Sequence, residues 1–423
     1  MTKAEKIKQT IKETKERRKN LVPVVYQLKI QNLSKTKEEK LSRVFLEAKW
    51  LYNWIIADVN RINISTKEIK EVEIKVGNEF EKREIKYLGS QLKQAIQERV
   101  KNSLKSLKAL KENGHKVGKL KFKKSISSIN LKQYKVSFDI DFKRNKVRIQ
   151  GLGWFRVLGL HQIPLDQDYE IANAHIVKKP SGYYVYLTCY VKKEYFEREK
   201  VGDAIGIDFG IANKLTLSNG LTVDFEIEES KRLKKLQKEL ARRKKNSKNW
   251  IKTKKKIQRE YEKLTNKRKD IHNKILAVFR HYETVIYQDD SIKSWHEGWF
   301  GSQVQYSGIG TLKARLKDRL ATIPVDRFEA TTQECHVCGY KQKLDLSNRV
   351  YRCPVCGNTI NRDLNSAINI LKKWLDLSQN QVVGVERSEL TPAEMTLAAK
   401  ILGSNPYIKV AVIDEAGSPH FYK

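Results

Sequence analysis

Two pairs of cysteines constrain the fold of this 423-residue chain more than any other feature. Two residues separate Cys335 from Cys338, two separate Cys353 from Cys356, and fourteen lie between the pairs. Each pair is followed directly by glycine, and paired turns of this kind present four thiolates to one Zn²⁺ in a tetrahedron. Because all four ligands are cysteines, no coordination position stays open for a substrate. The pattern therefore predicts a structural zinc ribbon.

The use of cysteine and the hydropathy of the chain indicate the compartment in which the protein works. Cys189 lies in the alternating stretch "YYVYLTCYV", which predicts a strand with a buried, inert thiol. A secreted disulfide framework does not fit so few cysteines. The N-terminus has no apolar core for a signal peptide, and no apolar run approaches the ~20 residues of a spanning helix. We expect a cytoplasmic, nucleoid-associated protein with no membrane partner.

The charge of the chain points to a polyanionic partner. Lysine and arginine number 84 against 49 acidic residues, which gives a formal net charge of +35. Nucleic acid is the usual partner of such a surface. Basic residues that served solubility alone would be interspersed, whereas here they cluster, most densely in a predicted helical pair over residues 228–282. We expect this pair to contact phosphates.

Two aspartates are candidate ligands for catalytic metal ions. Asp208 follows the apolar strand "AIGI", and Asp363 opens the helical stretch "NRDLNSAINIL". Carboxylates from a strand and a distant helix can together hold two Mg²⁺ ions about 3.5–4 Å apart against a phosphodiester. A single aspartate is more often a turn former or a helix cap. The combination with the zinc ribbon favours the metal-binding interpretation.

Three stretches together resemble a known family. "IGIDFGIANKLTLSNG", "ATTQECHVCG…YRCPVCG" and "NRDLNSAINI", in that order and spacing, are similar to the RuvC-type nuclease with an inserted zinc ribbon found in the TnpB family. Its members are transposon-encoded RNA-guided DNA nucleases related to the miniature type V CRISPR effectors. "KVGKLKFKK", "GLGWFRV" and "WLYNWII" resemble the family's N-terminal half more loosely. The resemblance covers roughly residues 20–375, together with a transposon-like C-terminal tail.

The resemblance implies a multidomain α+β fold. A β-barrel wedge domain with a helical recognition insertion would precede an RNase H-like (RuvC) α/β nuclease domain that carries the zinc ribbon. The expected segments are a basic arm (1–20), the wedge barrel (21–35 and 115–200), the helical recognition domain (36–114), the nuclease (201–330 and 358–375), the ribbon (331–357) and a tail (376–423).

The resemblance also implies an activity and partners. The protein would cut double-stranded DNA beside a short flanking motif, guided by an RNA from the transposon end, with catalytic Mg²⁺ and structural Zn²⁺. Base pairing would supply sequence recognition while a basic channel holds the heteroduplex by its backbone. Asp208 and Asp363 match the first and third catalytic acids. We expect a monomer bound to one guide RNA.

The chain departs from the family at the second acid. The usual apolar strand ends in Glu-Asp, but here Gln288 occupies the glutamate position. Side chains two apart on a strand face the same side, so Asp290 would point where the glutamate is missing. Glu334, expected at the end of the strand entering the ribbon, is the other candidate. A third interpretation is that cleavage has been lost.

Three alternative functions follow. A compact type V CRISPR effector would share the chemistry and differ in the origin of its guide. A nuclease-dead, RNA-guided DNA-binding repressor would keep the partners and lose the cleavage. A conventional transposase is disfavoured because strand transfer needs no guide channel of this size.

Overall fold

The computed structural model describes residues 2–164, 169–298, 301–345, 347–378, 390–413 and 419–421. The chain divides into two compact units, Met1–Phe196 and Glu197–Lys423. Among the described residues, no helix is both long and apolar enough to cross a membrane.

The first unit is built on one seven-stranded antiparallel sheet. Its elements are, in chain order, α1 (Lys3–Arg17), β1 (Leu21–Gln31), α2 (Lys35–Ala57), β2 (Glu71–Val76), β3 (Glu79–Glu84), α3 (Ser90–Glu112), β4 (Ser128–Leu131), β5 (Phe138–Asp141), β6 (Lys146–Ile149), β7 (Gly153–Leu158), β8 (Tyr169–Lys179) and β9 (Gly182–Lys192). The sheet has the order β4-β8-β9-β1-β7-β6-β5, and β2 pairs with β3 in a separate hairpin.

Inward-facing side chains of this sheet form a single core. Alternate residues of all seven strands are buried, including Ile129 on the edge strand β4 and Phe138 on the opposite edge strand β5. They belong to one hydrophobic cluster that also contains residues of α2 and α3. A sheet whose two edges line the same core is strongly curled, and it is nearly closed here. Cys189 on β9 is fully buried in this core, and burial raises the pKa of its thiol to about 12.

Two features of the first unit differ in detail from the sequence interpretation. The basic arm forms helix α1, and Arg17 and Arg18 at its end form ion pairs with Glu170 on β8. The region predicted to be helical also contains the hairpin β2–β3. Both strands of this hairpin are rich in alternating charges and mostly exposed, so they lack the apolar periodicity by which a strand is recognised.

The second unit is built on a mixed seven-stranded sheet. Its elements are, in chain order, β10 (Gly202–Phe209), β11 (Leu215–Leu217), β12 (Leu221–Phe225), α4 (Lys231–Arg242), α5 (Lys248–Phe279), β13 (Tyr282–Gln288), α6 (Ile292–Glu297), α7 (Gly301–Ser307), α8 (Ile309–Arg319), β14 (Thr322–Val325), β15 (Val350–Arg352), β16 (Thr359–Asn361), α9 (Arg362–Ser378), α10 (Pro392–Leu402), β17 (Ile408–Ile413) and β18 (Pro419–Phe421). The order is β14-β13-β10-β11-β12-β17-β18, and β15 pairs with β16 separately.

Strand direction changes at the centre of the sheet. β10, β13 and β14 run parallel, whereas β10 through β12, β17 and β18 pair antiparallel. Helix α9 packs directly on β10. A Cβ atom on Gly206 would lie 2.3 Å from the carbonyl oxygen of Ala367, so only glycine permits this approach. The close packing brings the N-terminal turns of α9 beside the end of β10.

The segment that we set apart as a C-terminal tail belongs in part to this sheet. α9 continues to Ser378, and β17 pairs with β12 in the register Leu221↔Val412. Glu394 on α10 accepts a hydrogen bond of 2.7 Å from the Tyr282 hydroxyl on β13. The partners of α10 and β17 lie more than 100 residues away in sequence, so local pattern could not reveal these contacts. Residues 379–389, 414–418 and 422–423 lie outside the described part of the chain.

Candidate metal centre and acidic cluster

The four cysteines of the predicted ribbon converge in space. Their sulfur atoms all lie within 4.8 Å of one another. The Sγ atoms of Cys335 and Cys356 are 3.7 Å apart, and those of Cys338 and Cys353 are 3.5 Å apart. Zn–S bonds of about 2.3 Å in a tetrahedron place sulfurs roughly 3.8 Å apart. The cluster therefore fits a zinc ion, and it could hold one without any rearrangement of the backbone.

Local turns create this arrangement. Gly339 and Gly357 have φ of 76° and 74°, a conformation that glycine adopts at little cost. Their amides donate to the carbonyl oxygens of Cys335 and Cys353, which closes one tight turn around each cysteine pair. The hairpin β15–β16 carries the second turn, and the ribbon packs on Leu364 of α9.

Asp208 is a buried carboxylate near the end of β10. Only 9% of the residue is exposed, and the Ser366 hydroxyl on α9 donates to its Oδ1 at 3.1 Å. Burial, followed by the negative charge of Asp363, raises the pKa of Asp208 well above its usual range, and Asp290 adds to the increase. The site thus concentrates negative charge around Asp208.

Asp363 lies in the first turn of α9. Asn361 caps the helix by accepting from the amides of Asp363 and Leu364 at 2.9 and 3.2 Å. The carboxylate pairs with Arg362 at 3.2 Å and with Arg349 at 3.8 Å. Its charge raises the pKa of Asp208, and Ser366, one turn further along α9, contacts Asp208 directly, so both acids lie where α9 packs on β10.

Gln288 is buried at the end of β13 and faces a loop, with 6% of the residue exposed. Its Nε2 donates to the carbonyl oxygens of Glu329, Asp326 and Arg327 at 2.8, 3.2 and 3.4 Å. Its Oε1 accepts from the Thr331 hydroxyl at 2.7 Å. Both ends of the Gln288 amide are thus engaged with this loop.

Asp290 lies two residues beyond the end of β13, so strand alternation does not set its direction as we expected. It is half-buried, and burial raises the pKa of its carboxyl to about 6 while Lys313 opposes the shift. Asp289 is exposed and forms an ion pair with Lys313 at 2.9 Å. Of the two neighbours, Asp290 is the one whose charge reaches Asp208.

Glu334 is not at a strand end, because β14 ends at Val325 and only a single bridge to Lys341 forms here. Its carboxylate lies 3.4 Å from Lys373 and 3.6 Å from Lys341. The Oε2 atom is buried and has no hydrogen-bond partner. Glu334 thus has a buried oxygen that makes no hydrogen bond but faces two lysine ammonium groups.

Three polar residues of the site escaped the sequence analysis. Ser366 and Thr331 are buried, and their hydroxyl oxygens lie 3.1 Å apart, which links Asp208 to Gln288. Lys313 on α8 donates to the carbonyl oxygen of Asp290 at 2.8 Å. Ser366 is one turn beyond Asp363, and that spacing was the only signal in the sequence. Thr331 and Lys313 had none.

Fold and site together define a class: an α+β protein that combines a buried aspartate, coupled electrostatically to Asp363 and Asp290, with a four-cysteine cluster beside one mixed sheet. Two family models match within it, OrfB_IS605 ("Probable transposase") over residues 188–287 and "Cas12f1-like, TNB domain" over residues 311–370.

Several named proteins have sequences similar to that of this chain. A "Putative RNA-guided DNA endonuclease" of Streptomyces pristinaespiralis is 30% identical over 41% of this chain and 46% of its own length. The "Putative RNA-guided DNA endonuclease InsQ" of Escherichia coli K12 is 26% identical over 56% of this chain and 64% of its own. "TnpB-like protein L79" of Acanthamoeba polyphaga mimivirus is 28% identical over 31% and 27%. The chain thus matches less than two thirds of each relative.

One solved structure, that of a Cas12f1–sgRNA–target DNA complex, contains a chain that is 15% identical, with a TM-score of 0.44 over 80% of this chain and 83% of that one. The chain is thus similar to the putative RNA-guided DNA endonucleases and the TnpB-like protein that these comparisons name.

Proposed function

We propose that this protein is an RNA-guided DNA endonuclease that cuts double-stranded DNA beside a short flanking motif. The observation that carries the proposal is the coupling of Asp208 on β10 with Asp363 on α9, next to the cysteine cluster. The mixed sheet and the helix packed on it support an RNase H-like (RuvC) nuclease domain. The relatives named as RNA-guided DNA endonucleases support the guide and the substrate.

The acidic cluster has the chemistry of a magnesium site. Carboxylate oxygens are the ligands Mg²⁺ prefers; burial and then the negative charge of Asp363 raise the pKa of Asp208, and a bound cation would offset both effects. Bound there, Mg²⁺ would activate a water molecule and stabilise the leaving oxygen. The chain's own contribution is to fix the carboxylates: Ser366 orients Asp208, and the Asn361 cap orients the first turn of α9.

Asp290 is our candidate for the third ligand. Its charge reaches Asp208, whereas the carboxylate of Glu334 is neutralised by Lys341 and Lys373. Glu334 remains the second candidate because its Oε2 is buried without a hydrogen-bond partner. Gln288 is the weaker ligand, since its side-chain oxygen carries no charge and already accepts from Thr331.

The partners we propose are a guide RNA and its DNA target, bound by a monomer. The hairpin of α4 and α5 supports this, because lysine and arginine dominate its sequence and most of them are exposed. Such a surface would hold phosphates with little regard to sequence. We further propose that the curled sheet of the first unit is the wedge domain and that α2 and α3 form the recognition insertion.

A second candidate function is RNA-guided DNA binding without cleavage. The observation favouring it is Gln288, an amide committed to a loop at the position where the family has a glutamate. A transposon-encoded nuclease and a compact CRISPR effector would share the same chemistry. The origin of the guide RNA, a transposon end or a CRISPR array, would distinguish them.

The test is cleavage of a plasmid library by the purified ribonucleoprotein in Mg²⁺. The protein is co-expressed with the DNA that flanks its gene, and the RNA that copurifies is sequenced. We expect linear plasmid with wild type and none with Asp208→Ala, while both retain target binding in a gel-shift assay. Binding without cleavage by wild type would establish the repressor instead.

A further inference from the structure

The loop of residues 326–331, which we name the Gln288 loop, is held in one conformation by a buried amide. The Gln288 side chain donates to three of its carbonyl oxygens and accepts from Thr331. Within the loop, the Phe328 amide donates to Asp326 Oδ1 at 2.8 Å. These contacts fix the path of the loop backbone from Asp326 to Thr331.

At its tip, the ordered loop exposes a large aromatic side chain. Phe328 is 81% exposed, more than any other large hydrophobic residue recorded among the described residues. The Arg327 guanidinium lies 4.6 Å from the centre of its ring. Keeping a phenylalanine ring in water forgoes the favourable free energy of its burial, so an exposed ring in this position is suited to a partner that covers it.

The tip lies close to the proposed catalytic acids. Thr331, at the end of the loop, has its hydroxyl oxygen 3.1 Å from that of Ser366, which contacts Asp208. Arg327 is near enough to Asp289 for its charge to lower the pKa of that carboxyl. Two residues separate Phe328 from Thr331, so their Cα atoms are at most about 10 Å apart.

We propose that Phe328 and Arg327 form a binding site for one unpaired nucleotide of the DNA strand that enters the acidic cluster. The ring would stack on the base, and the guanidinium would contact the adjacent phosphate or the open face of the base. Stacking suits this place because every base has a π-face, so a cutter guided by base pairing would tolerate any sequence. The inference rests on the proposed nuclease function.

The proposal also gives Gln288 a role as a positioning residue. A glutamate at this position would direct a carboxylate at three backbone carbonyls, which only a donor can satisfy. The amide therefore stabilises the loop that carries Phe328. With glutamine at position 288, this chain has no metal ligand there. The side chain instead supports the loop that would bind the substrate strand.

The experiment uses the full-length ribonucleoprotein and a single-stranded DNA oligonucleotide that contains one 5-iododeoxyuridine, which photocrosslinks to stacked aromatic rings. Crosslinked peptides are mapped by mass spectrometry in wild type, Phe328→Ala, Phe328→Trp and Phe80→Ala. Phe80 is the matched control, because it is 71% exposed and lies on β3 in the first unit.

We expect a crosslink at Phe328 in wild type and at Trp in Phe328→Trp. Its yield should fall roughly tenfold or more at the loop in Phe328→Ala, as expected from the loss of one stacked base, and stay unchanged in Phe80→Ala. Crosslinks confined to other segments in wild type would overturn the proposal. Plasmid cleavage is measured in parallel: a crosslink at Phe328 without cleavage supports the binding site while refuting the nuclease, and cleavage without that crosslink does the reverse.

Discussion

The Ser366 hydroxyl donates a hydrogen bond of 3.1 Å to Oδ1 of Asp208, and this contact joins α9 to β10 at the proposed active site. Ser366 lies one helical turn beyond Asp363, so the residue that orients one acid also sets its distance from the other. Gly206 makes the contact possible by letting the two backbones approach. The site is thus determined by how closely this helix packs on this strand.

Replacing either coupled acid should abolish cleavage. Asp208→Asn and Asp363→Asn keep shape and remove one negative charge each, and we expect the single-turnover cleavage rate to fall by roughly 10²–10³-fold or more. Asp318→Asn is the control, because Asp318 is an exposed aspartate on α8. Target binding should be retained by all three variants. Wild-type cleavage by Asp208→Asn would remove the basis of the proposed mechanism.

The third ligand can be identified by comparing two substitutions. We expect Asp290→Asn to lower the cleavage rate by about 10²-fold and Glu334→Gln to lower it by less than about threefold. Raising Mg²⁺ should partly rescue Asp290→Asn, because a lost ligand weakens metal binding. The opposite ranking would assign the role to Glu334, and equal insensitivity would leave a two-carboxylate site.

The cysteine cluster should contain one zinc ion per chain. We expect elemental analysis to find zinc in wild type and to lose it in Cys353→Ser, with a lower unfolding temperature, since ribbon folding depends on the metal. Cys189→Ala is the matched control: this thiol is buried in the other unit, so zinc content should not change. Full zinc occupancy in Cys353→Ser would contradict the four-ligand site.

Restoring the family's glutamate should destabilise the protein. Gln288→Glu removes the side-chain donor that faces three carbonyl oxygens and places a carboxylate against them, so we expect the free energy of unfolding to fall by about 1–3 kcal/mol at neutral pH. The deficit should shrink as the pH falls, because a protonated carboxyl can donate one of the lost bonds. Chemical denaturation at two pH values measures both effects.

An exposed residue provides the comparison for that substitution. Gln305→Glu, on α7, adds the same charge without a buried amide network and should change stability by less than about 0.5 kcal/mol. If Gln288→Glu is as stable as Gln305→Glu, the amide is not required to hold the loop.

His272 should make stability depend on pH. The residue is 2% exposed on α5, and burial lowers the pKa of its imidazole to about 4. Between pH 4 and about 6.5 the imidazole of the unfolded chain binds a proton that the folded chain does not. The contribution of His272 to the free energy of unfolding is therefore fully present above pH 6.5 and is lost as the pH falls toward 4. The loss is about 3 kcal/mol.

The comparison variant for that effect is His272→Leu. Asp208 and Asp290 titrate with the opposite sign, and subtracting the variant's stability curve from that of wild type isolates the histidine. We expect the difference to vary by about 3 kcal/mol over this pH window. A flat difference would show that the pKa of the imidazole is the same in the folded and unfolded chain.

Local spacing in the sequence was enough to locate the ribbon and two acids. Cysteine pairs two residues apart, each followed by glycine, describe a turn that forms from a few neighbouring residues. The strand that contains Asp208 and the helix that begins near Asp363 are likewise predicted by the local pattern of apolar residues. These predictions depend on contacts between near neighbours in the chain, which is why they can be made without a structure.

Only the tertiary structure decided what surrounds the acids. The Asp208–Ser366 bond joins residues 158 positions apart, and Gln288 meets Thr331 across 43. Strand β17, which the sequence left in a tail, pairs with β12 across an even longer separation. The sequence contains the residues that make these contacts, but their pairing depends on which strand the helix packs against. The packing of the helix on its strand depends on the apolar surface buried by the whole core, so it cannot be derived from any one segment.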